Sequence, residues 1–526
     1  MDKEIDKLVE KFKIPVIEDV FSYSFVKKKI KKISYHFAQL HVILPLEEDE
    51  EHILVAFHDP FDLSIIEELR WLLEKKVKIA YCSKEILQPA IENCYQVTED
   101  ETHILFSASD NRQSLINSNE EEDIEGYDLL ERSPKNPIIG ILNAIIVEAI
   151  QQNASDIHFE PQEKDLLIRY RIDGVLLVRR SPPYEYQMNI LTRLKVMAKL
   201  DIAEKRLPQD GRMKLKMGKR EIDFRVSTIP IAYGERIVLR ILDKMNVLLG
   251  IDKLGMEEKN FSSLKKMIRL PEGIVLVTGP TGSGKTTTLY SIISEISNSQ
   301  VNIMTIEDPV EYKLQNIAQI GVSPKINLTF AKGLRHILRQ DPDIIMIGEI
   351  RDRETAEIAI QASLTGHMVF STLHTNDASS AITRLVDMGI EPYLLSSSIV
   401  GVVAQRLVRC ICKNCKISYI PQEEELRQLG LSGKDLVNGC LYKGKGCHKC
   451  FNTGYIGRHG IYELLKITSK LRHKMSQSVD AEKIRKTALE QSFVDLFSSG
   501  VSLVKRGITT SFEVLRVTSN LQEGGK

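Results

Sequence analysis

Gly279, Pro280, Thr281, Gly282, Ser283, Gly284, Lys285 and Thr286 follow one another in the pattern G-x-x-x-x-G-K-[ST]. The apolar run GIVLVT precedes them, and Thr287 opens a helical stretch, TTLYSIISEI, behind them. Glycines at this spacing let backbone N–H groups approach a polyphosphate, and a helix starting here aims its positive N-terminus at it. Lys285 is expected to reach the β- and γ-phosphates, and the Thr286 hydroxyl to ligate Mg²⁺. The pattern establishes nucleotide binding; the use made of the nucleotide has to come from other residues.

Three more apolar runs end in groups suited to phosphoryl chemistry. Ile344–Ile347 leads into Gly348 and Glu349. Many phosphate-loop ATPases place Asp-Glu there, so Glu349 is the candidate base for orienting water, and a metal ion would lean on Thr286 and a nearby acid. The stretch TIEDPVE brings Glu307, Asp308 and Glu311 to the end of a second run, where three acids suit metal and water coordination. The third run, MVFSTL, ends in His374, placed to donate to a γ-phosphate or register its loss. His367, at the opposite end of that run, reads as a packing or capping residue.

These motifs need a scaffold. From Leu254 onward, short wholly apolar runs alternate with helical stretches, which predicts a doubly wound parallel sheet with ligands at its carboxyl edge. Residues 254–405 are assigned to this core. Upstream, residues 137–243 open with an apolar helix and continue through alternating strands (LLIRYRI, REIDFRVSTI, RIVLRIL). Residues 1–104 combine HVILPL, HILVAF and KVKIAYC with a helical Leu63–Lys75, as in a small α/β domain. Between them, 105–136 is polar and acidic and reads as a flexible linker.

Eight cysteines occur in 526 residues, six of them between Cys410 and Cys450. Cys412-Lys-Asn-Cys415 and Cys447-His-Lys-Cys450 form two C-x-x-C knuckles, the ligand set of a closed tetrahedral Zn²⁺ site with a structural role. Cys410 and Cys440 are left over and are expected to be free, buried cysteines. The module is placed at 406–460, followed by a helical region, 461–526.

Lys and Arg together number 71, as do Asp and Glu, so no net field attracts nucleic acid. The opening MDKEIDKLVEKF lacks the apolar stretch of a secretory signal. Ile138–Ile150 is too short to span a bilayer and carries Asn143 and Glu148. A cytoplasmic location with peripheral membrane contact is the expectation. The basic run Lys27–Lys32 reads as a solvated helix face.

In order and content, these strand-end motifs resemble the Walker A, Asp box, Walker B (here Gly-Glu) and His box of the secretion and type IV pilus ATPases. Ala154–Pro161, Arg169–Gly174, Leu207–Arg212, Phe224–Ser227 and Tyr233–Arg240 resemble that family's second N-terminal domain. The resemblance covers roughly residues 40–520 and includes a cysteine pair of this kind. It implies a RecA-like core, a PAS-like domain before it, and a homo-hexamer that hydrolyses ATP. It further implies that Arg212 and Arg225, with Arg236 and Arg240 as lesser candidates, close over the γ-phosphate. The implied partners are an inner-membrane platform protein and the cytoplasmic domain of a bitopic membrane protein. Val402–Arg409 and Gly457–Leu464 look more like the type II secretion branch, with pilus assembly as the alternative. The Arg-Leu-Gly repeat of cyclic-dinucleotide-binding variants is absent, and the retraction branch lacks both the knuckles and the first domain. A nucleic-acid translocase and a metabolite kinase are the readings from other classes; neither finds a basic aromatic stretch or an acceptor pocket here.

Overall fold

The computed structural model describes residues 35–94, 137–243 and 250–518 apart from positions 74, 183, 219, 478, 479 and 492, together with Leu129 and scattered positions between 9 and 33. The acidic linker (Leu129 aside) and the run Lys27–Lys32 lie outside the described residues. The chain divides into two compact units, Met1–Lys244 and Met245–Lys526.

The first unit contains two sheets. Strands β1 (Ile43–Glu48) and β2 (His52–Phe57) pair antiparallel, and β3 (Lys76–Tyr81) lies parallel to β2. A parallel neighbour requires a crossover, and helix α1 (Leu63–Leu73) supplies it. The second sheet has the order β6-β5-β4-β9-β8-β7, with every neighbour antiparallel. Its strands are β4 (Ala154–Pro161), β5 (Leu166–Ile172), β6 (Val175–Arg180), β7 (Gln209–Met217), β8 (Arg220–Ile231) and β9 (Gly234–Asp243). The alternation legible in REIDFRVSTI sorts the faces: Ile222, Phe224 and Val226 are buried, while Asp223 and Arg225 are only partly so. Helix α2 (Pro137–Gln151) covers the apolar face, where the Tyr170 hydroxyl donates to Ile145 O at 2.8 Å.

The second unit is built on a seven-stranded sheet of order β12-β11-β13-β14-β10-β15-β18. Its members are β10 (Gly273–Thr278), β11 (Ile303–Glu307), β12 (Ala318–Gly321), β13 (Ile344–Ile347), β14 (Met368–Leu373), β15 (Ile399–Ile411) and β18 (Tyr455–Lys466). The first six run parallel and β18 closes the edge antiparallel to β15. All six residues of β10 are buried; Ile274 and Leu276 enter one apolar core, Val275 and Val277 the other. A strand buried on both faces has to be apolar throughout, and each fully buried aliphatic side chain contributes about 1.5–3 kcal/mol. This is the doubly wound arrangement expected from the run pattern.

The sequence reading parts core from cysteine module between residues 405 and 406, but β15 runs unbroken through that point to Ile411 and delivers Cys412 at its end. The run IVGVVAQRLVRCI is one continuous strand signal, so the division was drawn by the cysteines and not by the periodicity. After a two-stranded ribbon, β16 (Lys416–Tyr419) and β17 (Leu441–Gly444), the chain returns as β18 to the same sheet. Among the described residues, four helices follow, from Ser469 to Thr518. Among the described residues, no helix is long and apolar enough to cross a membrane.

Candidate active site

The phosphate loop links β10 to helix α3 (Lys285–Ile296). Gly279, Gly282 and Gly284 all take positive φ, of 150°, 78° and 90°. A Cβ added at Gly279 would lie 2.5 Å from Gln405 O, and one at Gly284 would lie 2.8 Å from Gln405 Nε2. Glycine is required there by close approach as well as by the backbone angle. Lys285 Nζ donates to Gly279 O at 2.8 Å and Pro280 O at 3.0 Å, which curls the side chain over the loop. Burial pulls its ammonium down to about 8; Glu349 opposes this and Arg406 reinforces it. The Ser283 hydroxyl is buried against the loop, without a hydrogen-bond partner among the described residues.

A cleft of about 370 Å³ lies over this loop. Thr281, Gly282, Gly284, Lys285, Thr286 and Thr287 line one side; Glu307, Asp308, Glu311, Glu349 and His374 line the other. These groups come from four parallel strands because each strand ends at the same edge of the sheet. The Glu349 carboxylate is mostly buried, paired through Oε1 with Arg351 and approached at 3.3 Å through Oε2 by His374 Nε2. Burial first, then the Lys285 charge, hold the His374 imidazole below its ordinary range, against the pull of Glu349. Two threonines brace the His374 turn. Thr278 Oγ1 and Thr375 Oγ1 are 2.6 Å apart, and Thr375 N donates back to Thr278 Oγ1 at 3.0 Å.

The three acids of TIEDPVE are not equivalent. Glu307 is buried and its oxygens already accept from Tyr290, from Thr305 at 2.5 Å and from Gln319 at 3.0 Å. A carboxylate held this way shapes the cleft floor. Asp308 and Glu311 are the more open pair, with Asp308 Oδ2 3.6 Å from Arg351 Nη1. Gly348 has its own reason to be glycine: a Cβ there would come 3.3 Å from Glu307 Cα.

The four knuckle cysteines converge. Sγ–Sγ separations are 3.8 Å for Cys412–Cys447, 3.8 Å for Cys415–Cys450 and 3.6 Å for Cys447–Cys450. With metal–sulfur bonds of about 2.3 Å, a tetrahedron has edges of roughly 3.8 Å, which these three separations fit, and all four sulfurs lie within 4.8 Å of one another. Cys410 and Cys440 stand outside the cluster and, against the expectation of burial, are only half-buried, because neither faces an apolar core.

The profile described as type II/IV secretion system protein matches residues 131–516, and that of the MshEN domain matches residues 23–101. This chain belongs to the type II/IV secretion system protein family. It is 46% identical over 489 residues to the type II secretion system protein E of Pseudomonas aeruginosa, covering 93% of this chain and 96% of that protein. It is 43% identical over 497 residues to the type II secretion system ATPase E of Vibrio cholerae, covering 94% of this chain and 97% of the relative. The X-ray structure of the Legionella pneumophila ATPase DotB matches with a TM-score of 0.53 at 20% identity, over 77% of this chain and all of that one; this likeness speaks for the fold alone. The chain is accordingly an ATPase.

In this secretion-family ATPase the arginines singled out from sequence lie in the first unit, three of them in one cross-strand row. Arg212 on β7 faces Arg225 on β8, Arg225 faces Arg240 on β9, and Arg240 faces Asp156 on β4. Arg240 Nε is 3.0 Å from Asp156 Oδ1. Arg236, four residues before Arg240 on β9 and outside the row, pairs with Glu160 at 2.6 Å. Sequence reasoning missed Arg351, Tyr290 and Gln319. Arg351 had a local signal, a cation two residues past a candidate base; the other two meet Glu307 only through the fold. It also missed Arg458, which lines the cleft from β18.

Proposed function

We propose that this chain is the ATP-hydrolysing motor of a type II secretion system, working as a homo-hexamer on the cytoplasmic face of the inner membrane. The observation that carries the reading is the meeting of Lys285, Glu349 and His374 in one cleft at the sheet's carboxyl edge, in a chain that aligns along nearly its whole length with secretion ATPases. Bound ATP supplies the phosphoryl group, Mg²⁺ neutralises its charge, and Zn²⁺ at the four cysteines supplies rigidity. Backbone N–H groups from Gly279 to Thr286 hold the phosphates, Lys285 pairs with the terminal ones, and the Thr286 hydroxyl holds the metal with help from Asp308 and Glu311. Glu349 orients the attacking water and accepts its proton, and His374 responds to the γ-phosphate. Arg212 and Arg225 complete the charge cage when domains close between subunits.

The load is a platform protein in the inner membrane, reached with the cytoplasmic domain of a bitopic membrane protein; membrane contact is peripheral. The test is the ATPase rate of the full-length chain against its own concentration, with and without that cytoplasmic domain. A low rate in dilute protein, raised several-fold or more by association and by the partner, is expected. Full activity in a dilute monomer, indifferent to both, overturns the motor reading. Stimulation by a pilus platform protein in place of the secretion one moves the chain to pilus assembly.

A further inference from the structure

Consecutive residues of a strand face opposite sides of its sheet. At Gln405 and Arg406 of β15, each side meets one of the two turns that form the cleft. Gln405 lies beneath the phosphate loop. Its backbone oxygen and its side-chain amide fill the spaces left by the missing Cβ atoms of Gly279 and Gly284. Its Oε1 accepts from Thr288 Oγ1 at 2.7 Å, in the first turn of α3. Gln405 is 2% exposed and Thr288 is fully buried, so water cannot replace this bond.

Arg406 points the other way and is also buried. Its Nη2 donates to Asn376 O at 3.0 Å and to Asn376 Oδ1 at 3.1 Å, two residues beyond His374. Their strand pairs with β10 as far as Ala404, and Gln405 and Arg406 themselves pair with Tyr462 and Ile461 of β18. Neighbouring Cα atoms are about 3.8 Å apart, so the two turns are referenced to one short piece of backbone held by β18.

We propose that Gln405 and Arg406 are a pair of positioning residues, Gln405 setting the phosphate loop and Arg406 setting the His374 turn at a fixed separation from it. The inference rests on the ATPase reading of this cleft. Lys285 and the loop hold phosphates in the ground state and the transition state alike, so a misplaced loop weakens KM. His374 acts on the phosphate being transferred, so a misplaced turn lowers kcat. Two adjacent residues are therefore expected to give opposite kinetic signatures.

The experiment compares full-length wild type, Gln405→Met, Arg406→Met and Arg406→Lys, with Lys285→Ala as the hydrolysis control. Melting temperature, kcat, KM and the affinity for ADP are measured for each. Gln405→Met removes one buried hydrogen bond and should raise KM and the ADP Kd about tenfold, with kcat held within about threefold. Arg406→Met should lower kcat about tenfold or more with KM held, and Arg406→Lys, which keeps a charged donor, should recover part of it. Both variants moving the same parameter, or neither moving any, overturns the proposal. If Gln405→Met does not fold, Thr288→Val cuts the same bond from the other end, and an unchanged KM and ADP affinity there overturns the Gln405 half. A wild type that binds ADP yet hydrolyses no ATP sinks the ATPase reading instead, while the ADP titration still decides the role of Gln405.

Discussion

His374 Nε2 lies 3.3 Å from one oxygen of Glu349, and Arg351 holds the other oxygen of the same carboxylate. The candidate base is thus suspended between an imidazole and a guanidinium, with both oxygens directed by neighbours. Glu349→Gln keeps the shape and removes the charge. Turnover should fall by about 10²–10⁴-fold while ATP affinity changes little, since a base acts only once the water is attacked. Steady-state kcat beside an equilibrium nucleotide titration checks this; turnover near wild type would shift the base to Asp308 or Glu311.

The same pair sets a pH dependence. Burial and the charge of Lys285 keep the His374 imidazole below its usual range, so it is neutral at pH 7. As pH falls through that lowered value, the ring gains a proton and becomes a full ion-pair partner for Glu349, which ties up the base. The acid limb of kcat is therefore expected below pH 6.5, the ordinary imidazole value, and should be lost in His374→Asn. A pH–rate profile of both proteins makes the comparison, and an acid limb shared by the two rules out His374 as its origin.

How much of this site was readable in advance depends on sequence distance. The phosphate loop is local: eight consecutive residues carry the glycine positions, the lysine and the hydroxyl, so spacing alone revealed it. Glu349 and His374 were legible because a buried parallel strand must be apolar until it ends, and the first polar residue past the run marks the sheet's edge. Glu307 shows where this fails. It satisfies the same rule, but Tyr290 and Gln319, 17 and 12 residues away in sequence, occupy its oxygens in the folded chain. The Thr278–Thr375 brace spans 97 residues and leaves no local trace. The arginines were found only as members of motifs; that three of them share a row follows from strand register, which a single sequence does not display.

Lys285 gives a second pH effect, of opposite sense. With its ammonium drawn down to about 8 by burial, part of the population is neutral in mildly alkaline solution. Phosphate binding requires the charged form and raises that pKa again. Affinity for ATP should be fully present below pH 8 and weaken as pH rises through it. Titrations of ADP and ATP between pH 7 and 9.5 read this directly, and a Kd flat across that window contradicts it.

The cysteine cluster predicts metal content by position. Cys412→Ser or Cys447→Ser removes a corner of the sulfur tetrahedron, so zinc should be lost and the ribbon β16–β17 should loosen. Cys410→Ser and Cys440→Ser should each retain one zinc per chain, since neither sulfur is in the cluster. Elemental analysis of the four purified variants separates the cases. Zinc absent from wild type at full stability would leave the cluster as four packed thiols.

The arginine row yields the last prediction. Like charges directly opposite on neighbouring strands are destabilising, yet Arg212, Arg225 and Arg240 stand side by side across β7, β8 and β9. Asp156 pairs with Arg240 at one end of the row, 3.0 Å away. Three guanidinium groups side by side offer a site for an anion, which suits groups proposed to act on a phosphate when domains close. Removing Arg212, exposed at the far end from Asp156, should relieve repulsion and leave the melting temperature unchanged or slightly higher. In assembled protein it should also lower kcat by at least ~10²-fold with ATP affinity retained. Arg240→Ala should behave differently, because it strips Asp156 of its nearest cation and costs stability first. Melting temperature and kcat measured on Arg212→Ala, Arg225→Ala and Arg240→Ala under assembling conditions distinguish these outcomes. If Arg212→Ala and Arg225→Ala turn over ATP at the wild-type rate, the row serves some other anion and the phosphate cage is completed from elsewhere.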